Sequence, residues 1–266
     1  MLFRNIAIKT LWDQRKSMLG WVIGINALTV ITVLFYPSFQ DMTEINAMLG
    51  DEDSFMRTFV GDVTDLTSPE GFMNSQLYYI MVPLILIAFG ITQGGGAIAG
   101  EEEHGTLDLL LANPVKRSTV FLQKFAALTA SLIFLSFTLW LGTILSVLTV
   151  NMDISLVRLG EITFSGTLLA LLFGTMALTV GGIRANRGLT SGLASGLAVL
   201  SYLVNALVPI EKALEPFSKF SPFYYYIHAD PLTNGIDWIH ASILILATAA
   251  ILVIGMTKFT QRDIGV

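Results

Sequence analysis

The 266-residue chain has no cysteine, only three histidines and little charge: Asp, Glu, Lys and Arg together make up 13% of it. A soluble domain carries about 25% charged residues. Without cysteine there are no disulfides and no thiolate metal sites. The charge that exists is kept out of the apolar runs, and no Asp, Glu, Lys or Arg sits at the centre of any of them. That argues against a proton-relay antiporter and against a path for a bare ion lined by fixed charge.

A nucleotide site is missing as well. Gly95 and Gly100 have the four-residue separation that opens a Walker A loop, but Glu101 and Glu102 follow where Lys and Ser or Thr are required. Two carboxylates there repel a triphosphate, and the preceding segment is an apolar run, not a strand. The row Glu101, Glu102, Glu103, His104 does not read as a metal site either. Neighbours on a helix point about 100° apart and cannot converge on one ion. Ser195, in "LASG", resembles the nucleophile stretch of intramembrane serine proteases but lacks their leading Gly. None of His104, His228 and His240 lies mid-membrane opposite it, so no catalytic residue is assigned.

What is present is apolar sequence: 53% of the chain is hydrophobic and the mean hydropathy is +0.69. The apolar residues sit in blocks of about 20, the length that crosses a hydrocarbon layer about 30 Å thick. Six spans are expected, at about 19–36, 77–99, 125–150, 163–182, 189–209 and 239–257. The runs do not alternate, so they are helices and not barrel strands. The fold class is all-α, a polytopic membrane protein forming one transmembrane domain over 1–266. No cleavage site follows the first run, which is read as a retained span.

Eleven of the fifteen Lys and Arg residues fall on one side if the N-terminus is cytoplasmic, and only Arg57, Arg158, Lys212 and Lys219 fall on the other. The positive-inside tendency then puts both termini in the cytoplasm, the acidic 37–76 segment outside and the 100–124 loop inside. Residues 1–18 suggest an amphipathic helix on the inner membrane surface, with Leu2, Phe3, Ile6 and Leu11 apolar and Arg4, Lys9, Arg15 and Lys16 near lipid phosphates. A plain basic flank that sets topology is the alternative.

In the 100–118 loop, Leu107, Leu110 and Leu111 have i, i+3, i+4 spacing, which predicts a short amphipathic helix. Pro114 ends it, and Ser118 is a candidate N-cap for the third span. An apolar face there packs on the protein's own helices or in a partner's groove.

The stretch "EEEHGTLDLLLANPVKRSTVFLQK" resembles the ABC-2 family of ABC transporter permeases, through Glu101, Glu102, Glu103, Gly105, Thr106, Leu107, Leu109, Leu110, Pro114, Arg117 and Lys124. His104 stands where Arg is more usual. The resemblance implies a coupling helix seated in a cleft of a separate ATPase, with Glu101, Glu102, Glu103, Thr106 and Leu110 as its contacts. It implies two ATPase chains, a second permease chain, and ATP and Mg held by the ATPase, so this chain is not itself the enzyme. It further implies short re-entrant helices before span six and export across the inner membrane. Membrane lipids are the remaining partner, and nucleic acid is not one. An assembly or sensing protein of the same family, and a secondary transporter outside it, are the alternatives. No inverted repeat supports the latter.

Three polar residues inside apolar runs, Asn26, Gln93 and Asn205, line a pathway or join helices by hydrogen bonds. Gly188, Gly192 and Gly196 recur every four residues in span five, which suits close helix packing within the chain or a permease–permease seam. Pro83 is expected to kink span two. Tyr224, Tyr225, Tyr226 and Trp238 suit an interfacial aromatic belt.

Overall fold

The structure, a computed structural model, describes residues 5–40, 65–112, 114–184, 186–208, 210–228 and 230–262. All regular structure among them is helical. Eight helices organise it: α1 Ile6–Leu34, α2 Pro69–Glu103, α3 Thr106–Leu111, α4 Arg117–Thr149, α5 Leu156–Ile183, α6 Arg187–Ala206, α7 Pro222–Ile227 and α8 Trp238–Gln261. Six of these, all but α3 and α7, are long and apolar enough to span a membrane.

The helices mostly run past the apolar windows because their flanking residues cap them. Asn5, Ser68, Asn186 and Asp237 each accept a backbone N–H from the first turn that follows, which satisfies donors the helix leaves orphaned. Two expectations shift. Span five ends at Ala206 rather than 209. Span three begins at Arg117, so Ser118 lies inside the helix, and Lys116 at the cap position makes no side-chain bond.

The separate surface helix expected over 1–18 is not a separate element. From Ile6 onward it is the start of α1, which runs unbroken to Leu34; Leu2, Phe3 and Arg4 lie outside the described residues. Two features hold this segment against α4. Gln123 Oε1 accepts the Ile6 N–H at 2.7 Å, and Thr10 is buried facing Lys124. Between Ile6 and Leu34 no proline interrupts the ladder. The acidic 37–76 expectation falls largely on 41–64, outside the described residues.

Two spans form the centre. The most apolar window of α5 is 78% buried and that of α2 67%, against 17–39% for the other four. They meet through glycine. A Cβ on Gly90 would stand 2.7 Å from the Ala170 carbonyl oxygen, and one on Gly174 3.0 Å from that of Gly90. Such contact needs residues without side chains. The irregularity expected from Pro83 appears one turn upstream, at Tyr79 and Ile80, between a π-turn over Asn74–Tyr78 and the regular stretch Met81–Gly95. Proline lacks the N–H that would bond back to that turn.

Short helices do precede span six, over Glu215–Ser218 and α7. Tyr226 of α7 is buried, and its hydroxyl donates to the Tyr78 carbonyl at 2.5 Å. It is therefore not part of an aromatic belt, because its polar tip finds its partner inside the protein. Trp238, by contrast, is exposed.

Candidate functional site

At the end of the bundle where α2 finishes, the chain makes a tight turn. Helical structure runs to Glu103, Gly105 takes a left-handed φ of 67°, and α3 starts at Thr106. Only glycine enters that region without a side-chain penalty. His104 Nδ1 meets the Gly100 carbonyl at 2.5 Å, and Thr106 Oγ1 donates to the Glu101 carbonyl at 3.0 Å. The residue replacing the more usual Arg thus closes the turn locally.

The three glutamates diverge, as neighbours on a helix must, and each reaches a different part of the fold. Glu101 pairs with Lys124 of α4, whose ammonium also donates to Thr10 of α1 at 3.1 Å. Lys124 is only 3% exposed, so this carboxylate is what makes a buried positive charge tolerable. Glu102 takes both terminal nitrogens of Arg262, just beyond α8, at 2.9 and 2.5 Å. The same guanidinium donates to the Gly182 carbonyl at the end of α5 at 3.4 Å, and the Arg262 carbonyl accepts from Arg117 of α4. Glu103 accepts the backbone N–H of Arg187 at 2.8 Å. That places a carboxylate on the positive end of α6.

Beneath this polar layer lies a small separate core of Ala97, Ile98, Leu107, Phe121, Leu178 and Phe259. Leu107 is fully buried in it, and Leu110 and Leu111 pack partly against it. The apolar face of α3 is therefore spent on its own bundle. Its opposite face is exposed: Glu103, Thr106 and Asp108 are solvent-accessible, and Leu109 is 72% exposed. One side of the junction is tied to α1, α4, α5, α6 and the residue just beyond α8, and the other side is exposed. Among the described residues no three metal-ligating side chains gather.

The expected pathway residues are not brought together. The Asn26 amide donates to the Val22 carbonyl at 2.8 Å and fills the space beside Gly142, joining α1 to α4. Gln93 is buried in α2, and Asn205 in α6 has a buried Nδ2 with no hydrogen-bond partner. No hydrogen bond links the three.

The reading of Gly188, Gly192 and Gly196 as intrachain packing is overturned. All three are exposed, and a Cβ on Gly192 or Gly196 would meet nothing within 4 Å. The inward face of α6 is instead Thr190, Ala194 and Ala198. Spacing marks a smooth stripe on a helix but not the direction it faces.

Sequence reasoning missed the far ends of the junction, Arg262 and the Arg187 N–H. A basic residue directly after the last apolar run was the available signal for Arg262.

Residues 4–264 match the ABC-2 family transporter protein family. The chain is 30% identical over 222 residues to the probable ABC transporter permease protein NosY of Stutzerimonas stutzeri, a stretch covering 82% of this chain and 73% of that protein.

Proposed function

The chain belongs to the ABC-2 transporter family and is a membrane permease of that class; from this premise we propose that it serves an exporter in which a separate ATPase drives the movement of α3. The observation that carries the reading is the junction itself. Helix α3 is joined through Glu101, Glu102 and Glu103 to α4, to Arg262 beyond α8 and to the start of α6. A push on its open face would be delivered to those spans together, as a rigid-body displacement.

The contact with the ATPase is made by the exposed side of the segment: Glu103, Thr106, Asp108 and Leu109. Glu101, Glu102 and Leu110, the other expected contacts, stand half-buried behind that surface and transmit rather than touch. ATP and Mg²⁺ are held by the ATPase, in two copies. A second permease chain meets this one along the outward stripe of Gly188, Gly192 and Gly196, whose lack of side chains permits close approach. Both termini and α3 are cytoplasmic at the inner membrane, as the distribution of Lys and Arg favours.

The test is co-purification of an ABC ATPase subunit that binds the wild-type chain with an Asp108→Lys, Leu109→Glu double variant. Neither side chain contributes to the buried core, so the variant should insert and elute as the wild type does while losing the ATPase. Undiminished co-purification would place the contact elsewhere.

A further inference from the structure

Between α4 and α5, on the half of the bundle away from the glutamate junction, lies an open groove of about 400 Å³. We propose that it binds one acyl chain of a phospholipid from the leaflet on that side, held lengthwise between the two spans.

The lining sets the chemistry of the occupant. Ser136, Thr163 and Thr167 are in its floor, but their hydroxyls are already engaged. Thr167 Oγ1 donates to Ser136 Oγ at 2.7 Å, and Thr163 Oγ1 meets both the Leu159 carbonyl at 2.7 Å and the Tyr78 hydroxyl at 3.2 Å. The surface offered to a guest is therefore methyl and methylene. The rims are the exposed apolar side chains Ile133, Phe137 and Phe164. A polar ligand would find no partner there and would lose its hydration.

The ends set the length. Trp140 stands over Gly160, where a Cβ would lie 3.2 Å from the indole nitrogen, and that nitrogen donates to the Leu156 carbonyl at 3.1 Å. An indole with an internally bonded N–H, level with the Arg158–Glu161 ion pair, marks the edge of the hydrocarbon layer. From Trp140 and Gly160 the groove runs to Thr129 and Leu171. Eleven residues at 1.5 Å each give about 17 Å, close to the roughly 15 Å depth of one leaflet. A whole helix, about 10 Å wide, is too thick for the space. Left empty, the groove would forfeit dispersion contacts on both walls, which a chain lying within it recovers from two helices at once. A lipid on an ordinary helix face touches only one.

The full-length protein in nanodiscs of phosphatidylcholine, doped with phosphatidylcholine bearing a mid-chain diazirine, tests this by photolabelling and peptide mapping. Adducts should concentrate on Ile133, Phe137 and Phe164 over the comparably exposed Leu246 and Ile254 of α8. The expected excess is on the order of tenfold, which corresponds to about 1.4 kcal/mol. Leu171→Trp, which fills the inner end, should lower groove labelling and leave Leu246 and Ile254 unchanged. Uniform labelling of all exposed spans in the wild type, which needs no variant to fold, would overturn the proposal.

Discussion

Arg262, one residue past the last helix, holds Glu102 with both terminal guanidinium nitrogens at 2.5 and 2.9 Å, across 160 residues of chain. A bidentate pair fixes direction as well as distance. It makes the end of α8 and the end of α2 one rigid piece, at the point where α3 departs. Each carboxyl and guanidinium side chain is about one-fifth exposed, so the pair is neither a loose surface contact nor a dry interior one.

Glu102→Arg should lower stability by about 1–3 kcal/mol, the cost of leaving a charge-assisted bond unmade and two cations opposed. The swap Glu102→Arg, Arg262→Glu should recover part of that loss. Thermal unfolding of the purified permease in detergent measures both. A swap no more stable than the single variant would show that the pair is not what joins these ends.

Lys124 is the deeper case. Glu101→Ala strands its ammonium at 3% exposure, at a cost of about 3–5 kcal/mol, whereas Glu101→Leu with Lys124→Met removes both charges and should be near neutral. The double variant folding less well than Glu101→Ala would contradict the pairing.

The two glycine sets separate cleanly. Gly94→Ala drives a methyl into the Gly174 carbonyl of α5, and overpacking of this kind costs about 1–3 kcal/mol. Gly192→Ala meets nothing within 4 Å and should change the stability of a single chain by less than about 0.5 kcal/mol. Differential scanning fluorimetry of the two variants decides it.

Six spans and their approximate limits were legible in the sequence, because a block of about 20 apolar residues has few other uses. The position of α3 was legible too, from the leucine spacing and Pro114. What spacing could not supply was direction. Gly90 and Gly94 face a neighbour while Gly192 and Gly196 face out, yet both sets recur every four residues. Nor could it supply pairing: Glu103 and Arg187 lie 84 residues apart, and Glu102 and Arg262 nearly twice that. The N-terminal segment was misread as a separate element because its basic residues suggested a surface, whereas backbone bonds to Gln123 decide where it lies.

Asp237 gives a pH signature at the opposite end of the molecule. The backbone N–H groups of His240 and Ile239 hold its carboxyl below its ordinary 3.8. A lowered value in the folded state means the cap stabilises α8 above that ordinary value and is lost as pH falls through the lowered one. Protection of the Ile239 and His240 amides, taken relative to their intrinsic exchange rates at each pH, should therefore fall in acid in the wild type, and Asp237→Asn should flatten that response. An acid response unchanged in Asp237→Asn would assign it to another group.

The central claim is that the segment from Glu101 to Leu111 is where ATP-driven motion enters this chain. Hydrogen–deuterium exchange of the permease, alone and with its ATPase, tests it most directly. Exchange over residues 101–112 should slow when the ATPase binds, and adding a non-hydrolysable ATP analogue should alter exchange at the first turns of α4 and α6 and the last turn of α8. An ATPase that binds while 101–112 exchanges as in the free permease would contradict the account.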